Sequence, residues 1–161
     1  MTITVCMEEA VMQIAVASDH GGFKLKGEII DYLKELAIDC KDFGTFSGES
    51  VDYPDIVMPV AEAVAKGEYD LGVLCCGTGI GVSIAANKVA GIRAALCHDS
   101  FSARMAREHN NANIITMGER VLGPGLAREI LAAFLDAEFS GGRHARRVDK
   151  IHDIEKKYCC R

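Results

Sequence analysis

Residues 71–81 read Leu-Gly-Val-Leu-Cys-Cys-Gly-Thr-Gly-Ile-Gly, an apolar run that stops at a thiol and gives way to alternating glycines. A short run without polar alternation, Leu71 to Cys75, marks a strand covered on both faces, the habit of parallel sheets flanked by helices. Glycines at 77, 79 and 81 let a chain leaving such a strand turn at once into a helix, here over 81–87. The stretch therefore predicts an α/β protein built on a parallel sheet.

The same alternation continues on either side. Gln13 to Ala17 reads as a first strand, and Phe23 to Leu36 as a helix with Leu25, Ile29, Tyr32, Leu33 and Leu36 at helical spacing. A weaker strand follows at Ile38 to Phe43. The next helix runs from Tyr53 to Lys66, started by Asp52 or Pro54. Beyond the glycine loop come a strand at Arg93 to Cys97, a helix at Ser100 to Arg107 and a strand at Ile114 to Met117. Pro124 opens a helix that reaches about Ala137. Gly141-Gly142 separates it from a last helix, Arg143 to Tyr158. Five strands and 161 residues suit one domain, spanning 12–161, preceded by a tail of residues 1–11 that carries no pattern.

With 18 Lys and Arg against 23 Asp and Glu, the net charge of -5 offers no basic face, which argues against a nucleic-acid partner. No apolar run is long enough to span a membrane. The seven cysteines form an odd count without a C-x-x-C pair or a leader, which fits reduced thiols in the cytoplasm. Adjacent pairs at Cys75-Cys76 and Cys159-Cys160 are awkward ligands for zinc, and no metal or other cofactor is expected.

In an open parallel sheet, ligands sit beyond the carboxyl ends of the strands. The loops there are Ser18 to Gly22, Cys76 to Gly81, His98-Asp99 and Gly118 to Arg120. Cys75 and Cys76 must face opposite ways, since side chains alternate along a strand. A thiol at a helix start is activated by the helix dipole, so Cys76 is the candidate nucleophile or base, while Cys75, Cys97 and Cys40 read as core. Asp19-His20 can hold a hydroxyl and an anion; Asp19 or Ser18 can equally be a helix cap. His109 has the side chain of a proton shuttle, and the asparagines after it suit a left-handed helix end. Arg143 and Arg147 share a helix face, four residues apart, suited to gripping a phosphate or to salt bridges at the helix end. Ile151, Ile154 and Tyr158 continue that face, which sets the arginines at the lip of a buried surface.

Taken in order, D-H-G-G at 19–22, C-G-T-G-I-G-V-S-I-A-A-N-K at 76–88, H-N-x-x-N at 109–113 and G-G-R-H-x-x-R-V at 141–148 resemble the ribose-5-phosphate isomerase B and galactose-6-phosphate isomerase family. The resemblance runs from about Met12 to Lys157. It implies a Rossmann-like α/β/α fold with a five-stranded parallel sheet and a homodimer or homotetramer whose active sites are shared between chains. It implies also a cofactor-free shift of a carbonyl between C1 and C2 of a sugar phosphate. Cys76 then matches the base, where other members carry a glutamate at the position of Val82. Thr78 and the amides of Gly77, Gly79, Ile80 and Gly81 match the groups that stabilise the enediolate. His109 matches the acid that opens the sugar ring, and Asp19 the residue that holds the ring oxygen or a neighbouring hydroxyl. His20, Arg143 and Arg147 match phosphate ligands, and Asn110 and Arg120 contacts to the sugar or its phosphate.

The resemblance implies interconversion of ribose 5-phosphate and ribulose 5-phosphate, with allose 6-phosphate or galactose 6-phosphate as alternative substrates. A different class of reading is a nucleotide-binding module using the glycine loop and Asp99, about 20 residues on, as the ribose acid. Val82 stands where that fingerprint needs its third glycine.

Overall fold

A computed structural model of the chain describes residues 12–159. The leading eleven residues and the Cys159-Cys160 thiols lie outside the described structure. In chain order the elements are β1 (Gln13–Ser18), a 3-10 turn (His20–Gly22), α1 (Phe23–Glu35), β2 (Asp39–Asp42), α2 (Tyr53–Ala65), β3 (Leu71–Cys76) and α3 (Ile80–Ala86). There follow β4 (Ala94–Leu96), α4 (Ser100–Asn110), β5 (Ile114–Gly118), α5 (Pro124–Leu135) and α6 (Arg143–Cys159). All strand pairs are parallel, in the order β2-β1-β3-β5-β4. The α/β expectation with five parallel strands holds.

Alternation along the strands builds the two layers. Ile14, Val16, Val73, Cys75, Ile115 and Met117 point to one face, against Leu25, Ile29 and Leu33 of α1 and Ile130 and Phe134 of α5. Ala15, Ala17, Leu74 and Cys76 point to the other, against Val57, Val60 and Val64 of α2 and Val82 and Ala86 of α3. The two adjacent thiols therefore belong to different layers, as the strand period requires. Each fully buried aliphatic or aromatic side chain contributes about 1.5–3 kcal/mol, so this core needs no cross-links.

The sheet order positions the site. β2 lies on one side of β1 and β3 on the other, so the loops leaving β1 and β3 diverge and open a crevice beyond the strand ends. The β1 side of the crevice is clamped from beneath. Lys26 of α1, only 2% exposed, bonds both carboxylate oxygens of Asp42 at 2.8 Å and the carbonyl of Thr45. Gly44 and Thr45 in turn pair with Ser18, the last residue of β1, at 2.7 Å each way.

Two expectations are corrected. α4 does not stop at Arg107 but runs to Asn110, because Asn111 takes the left-handed conformation (φ 47°) and caps the helix through its N–H to Ala106 and Arg107. His109 and Asn110 are thus in a last helical turn, not in a connecting loop. On α6, Ile151, Ile154 and Tyr158 are 44%, 60% and 59% exposed, so Arg143 and Arg147 do not border a surface buried within this chain. The stripe lines an open apolar groove of about 500 Å³ beside Ile92, Ala94, Ala95 and Ala112. Among the described residues, no helix is long and apolar enough to cross a membrane.

Candidate active site

Cys76 ends β3 on the crevice floor, 5% exposed, and its Sγ accepts a hydrogen bond from the N–H of Gly79 at 3.0 Å. Gly79 can aim that N–H because it is left-handed (φ 79°), and a Cβ there would lie 2.5 Å from Leu96 Cδ1 and 2.9 Å from the Met117 carbonyl carbon. The loop is stitched to the one after β5: Glu119 N–H donates to the Cys76 carbonyl at 2.9 Å and Arg120 N–H to the Gly77 carbonyl at 3.0 Å. Thr116 Oγ1 donates to the Gly79 carbonyl at 2.9 Å. A donor aimed at a sulfur stabilises negative charge on it. Cys75 lacks this setting, since burial pushes its thiol well above the ordinary range, and burial pushes Cys97 up to about 11.

Around Cys76 lies a cleft of about 250 Å³ lined by Asp19, His20, Gly21, Tyr53, Gly77, Thr78, Gly81 and Arg120. Larger cavities exist elsewhere on the chain, but this one gathers convergent polar groups around a thiol. Asp19 is a cap: its Oδ1 accepts from the N–H of Gly21 at 2.8 Å and of Gly22 at 3.1 Å, which leaves Oδ2 for a ligand. His20 Nδ1 accepts from the N–H of Val51 at 3.3 Å, so the neutral ring carries its proton on Nε2. Arg120 lies over Gly77, its guanidinium carbon 3.3 Å from where a Cβ would stand. Of the loop amides, that of Gly79 serves the sulfur and that of Ile80 reaches Thr78 Oγ1 at 3.3 Å.

One lining residue of this cleft, Tyr53, escaped the sequence reading. Tyr53 opens α2, and its ring fills the place of a side chain at Gly81, where a Cβ would come within 2.9 Å of it. Its signal was weak, because it follows a long connection and no strand end points to it. Glu119 caps α1 from a distance: its Oε2 accepts from the N–H of Lys24 at 3.0 Å and of Leu25 at 3.1 Å.

His109, Asn110, Arg143 and Arg147 are not in this cleft. α4 starts beyond the carboxyl end of β4 and returns to the amino end of β5, a run of about 16 Å for its eleven residues. His109 and Asn110 therefore stand at the opposite end of the sheet from Cys76. There the His109 ring stacks on His144 of α6, centroids 4.1 Å apart and planes within 6°. Ser140 N–H to the Glu108 carbonyl (2.9 Å) holds the two helices together. Arg143 Nε donates to His144 Nε2 at 3.4 Å. Burial first, then His109, Arg143 and Arg147, push His144 below the ordinary histidine range. The candidate residues thus fall into two groups at opposite ends of the sheet, one around the thiol and one with paired imidazoles and arginines.

Asp99 has another task than a ribose contact. Its Oδ1 accepts from Ser102 N–H and its Oδ2 from Ser102 Oγ, both at 2.7 Å, which commits the carboxylate to starting α4. Among the described residues, no group of three or more His, Cys, Asp or Glu is arranged to hold a metal ion.

Comparison with known proteins shows the family of the chain and its fold. The sequence profile of the family described as Ribose/Galactose Isomerase matches residues 14–151. The putative sugar phosphate isomerase YwlF of Bacillus subtilis is 58% identical over 147 residues, 91% of this chain and 99% of that protein. Ribose-5-phosphate isomerase B of Escherichia coli is 50% identical over 145 residues, 90% of this chain and 97% of that one. The solved structure of Clostridium thermocellum ribose-5-phosphate isomerase B superposes with a TM-score of 0.90 at 60% identity, covering 91% of this chain and 99% of that chain.

Proposed function

The chain belongs to the ribose/galactose isomerase family, and from that premise we propose that it interconverts ribose 5-phosphate and ribulose 5-phosphate through an enediolate, with Cys76 as the base. The observation that carries the reading is the thiol itself: buried on the crevice floor, bonded by the Gly79 N–H at 3.0 Å, and faced by Asp19, His20 and Arg120. Cys76 takes the proton from C2 of the open aldose and returns it to C1. The negative charge on the enediolate oxygens falls to Thr78 and to the loop amides other than those of Gly79 and Ile80, which are held by the sulfur and by Thr78 Oγ1; one well-placed donor supplies about 3–4 kcal/mol to such a step. Arginines on the phosphate hold the reacting carbons against the sulfur, the orientation effect.

The split of the site supports a second chain. His109 and Asn110 cannot reach the cleft of their own chain from the far end of α4, so a partner supplies them, together with Arg143 and Arg147, while His20 and Arg120 come from the Cys76 side. His109 then protonates the ring oxygen as the C1–O bond opens, and Asp19 Oδ2 holds the neighbouring hydroxyl. A symmetric dimer gives two such sites. The free thiols at Cys40, Cys75, Cys76 and Cys97 fit a cytoplasmic setting.

The test is an NMR time course with ribose 5-phosphate in D2O containing EDTA. Conversion to ribulose 5-phosphate with solvent deuterium is the expected result. Conversion of allose or galactose 6-phosphate instead would move the substrate, and silence on all three would overturn the reading. Co-expression of Cys76→Ala and His109→Asn chains tests the sharing. Each variant alone is inactive, whereas random pairing gives about a quarter of wild-type activity, one intact site in each mixed dimer.

A further inference from the structure

We propose that His144 is a positioning residue for the proton-donating His109. The inference rests on the isomerase reading above and concerns the ring-opening half of the reaction. His109 sits on the last turn of α4, only partly buried, where an imidazole would otherwise sample several orientations. The stack on His144, 4.1 Å between centroids and 6° between planes, fixes its plane. His144 is itself fixed. It is 9% exposed, its backbone N–H is bonded to Gly141 at 3.0 Å, and Arg143 Nε donates to its Nε2. An Nε2 that accepts a hydrogen bond belongs to a neutral ring with its proton on Nδ1. A neutral neighbour places no second positive charge against His109, and a flat neighbour gives the His109 ring one orientation. The phosphate-gripping arginines flank the same histidine, so one turn of α6 sets both the phosphate anchor and the acid.

The step it serves balances simply. His109 gives its proton to the furanose ring oxygen, the C1–O4 bond breaks, and the C1 hydroxyl releases its proton to solvent, leaving the open aldehyde. Ribulose 5-phosphate, with O5 esterified, has no such ring to open. Exchange of its C1 hydrogen with D2O therefore reads the Cys76 step alone, whereas net conversion of ribose 5-phosphate reads both steps.

The experiment compares these two rates in wild type, His144→Ala and His144→Phe. The expected result for His144→Ala is a selective loss, about tenfold or more in conversion of ribose 5-phosphate, with C1 exchange of ribulose 5-phosphate within about twofold. His144→Phe, which keeps a flat partner, recovers most of the conversion. Equal losses in both rates, or none in either, would overturn the assignment, since a structural or phosphate-binding role moves both together. If His144→Ala does not fold, His144→Phe against His144→Leu decides the same question: the flat side chain retains conversion and the branched one loses it selectively, or the proposal fails. Absence of exchange in wild type would overturn the isomerase reading instead, and the proposal with it.

Discussion

Gly22 precedes α1, and in the structure it is a contact point, not a hinge. Its φ of -119° is open to any residue. A Cβ built on it, however, would lie 2.5 Å from the Cys75 carbonyl carbon, 2.6 Å from the Cys76 nitrogen and 2.7 Å from the Cys75 oxygen. Ordinary contact begins near 3.4 Å, so the overlap is about 0.9 Å, the difference of 3.4 and 2.5. The atoms struck are backbone, so no rotamer relieves it. Overpacking of this kind costs about 1–3 kcal/mol, and the rigid partner sets the upper end. For a chain of this size that lowers Tm by roughly 6–12 °C. The peptide pushed is the one that carries Cys76, and a displacement near 1 Å at a reacting group costs on the order of 100-fold in turnover. Gly27, five residues along the same helix, has nothing within 4 Å of its Cβ position. Gly27→Ala should therefore raise stability by roughly 0.5–1 kcal/mol with turnover intact. Calorimetry and the ribose 5-phosphate assay on both variants make the comparison. A Gly22→Ala protein that melts with wild type and turns over normally would show that α1 is free to back away from β3, and the close-approach argument would be wrong.

Glu119→Ala removes the acceptor from the Lys24 and Leu25 N–H groups and should cost about 1 kcal/mol, with faster amide exchange at those two residues; Glu119→Gln keeps an acceptor and should fall between. Unchanged exchange at both amides in Glu119→Ala would show that α1 is held by other means. Asp99 is held below the usual carboxylate range, first by the Ser102 backbone N–H and then by the Ser102 hydroxyl. A depressed carboxyl stabilises the fold above its unfolded pKa and loses that contribution as pH falls through the folded value. Asp99→Ala should therefore melt below wild type at pH 7, and the gap should close on titration into the acid range; a gap that is constant with pH would contradict the cap.

How much of this was legible differs by residue. The unbroken apolar run at 71–75 announced a doubly covered strand, and the period of two put Cys75 and Cys76 on opposite faces before any coordinates. The glycines at 21 and 22 were visible too, but as a turn; their reason is the nearness of the β3 backbone, which lies more than fifty residues away in the chain. Lys26 gave only a faint sign, a charge among Leu25, Ile29 and Leu33 on the inward side of α1, and its partner Asp42 is distant. Glu119 gave none, since the N–H groups it caps are 95 and 94 residues earlier. Local patterns write themselves into sequence, and tertiary clamps do not.

The placement of His109 is the instructive case, because the information was present. A helix that follows a parallel strand must run back along the sheet, so its last turn stands at the amino end of the next strand, whatever chemistry its side chains carry. The resemblance implied sites shared between chains, and the connectivity alone already divides the four motifs between the two ends of the sheet. On the proposed reading the two groups meet only between chains, so association would be a condition of catalysis. α6 carries the arginines and His144 in its first turns and an exposed stripe of Ile151, Ile154 and Tyr158 further along the same helix. Covering that stripe with a second chain would remove apolar surface from water and, by the same rigid helix, carry the phosphate anchor and the stacked imidazoles toward the other chain's thiol. On that reading one element would provide both the adhesive surface and the second half of the chemistry, and neither half would have to be fitted into the loops of a single sheet end.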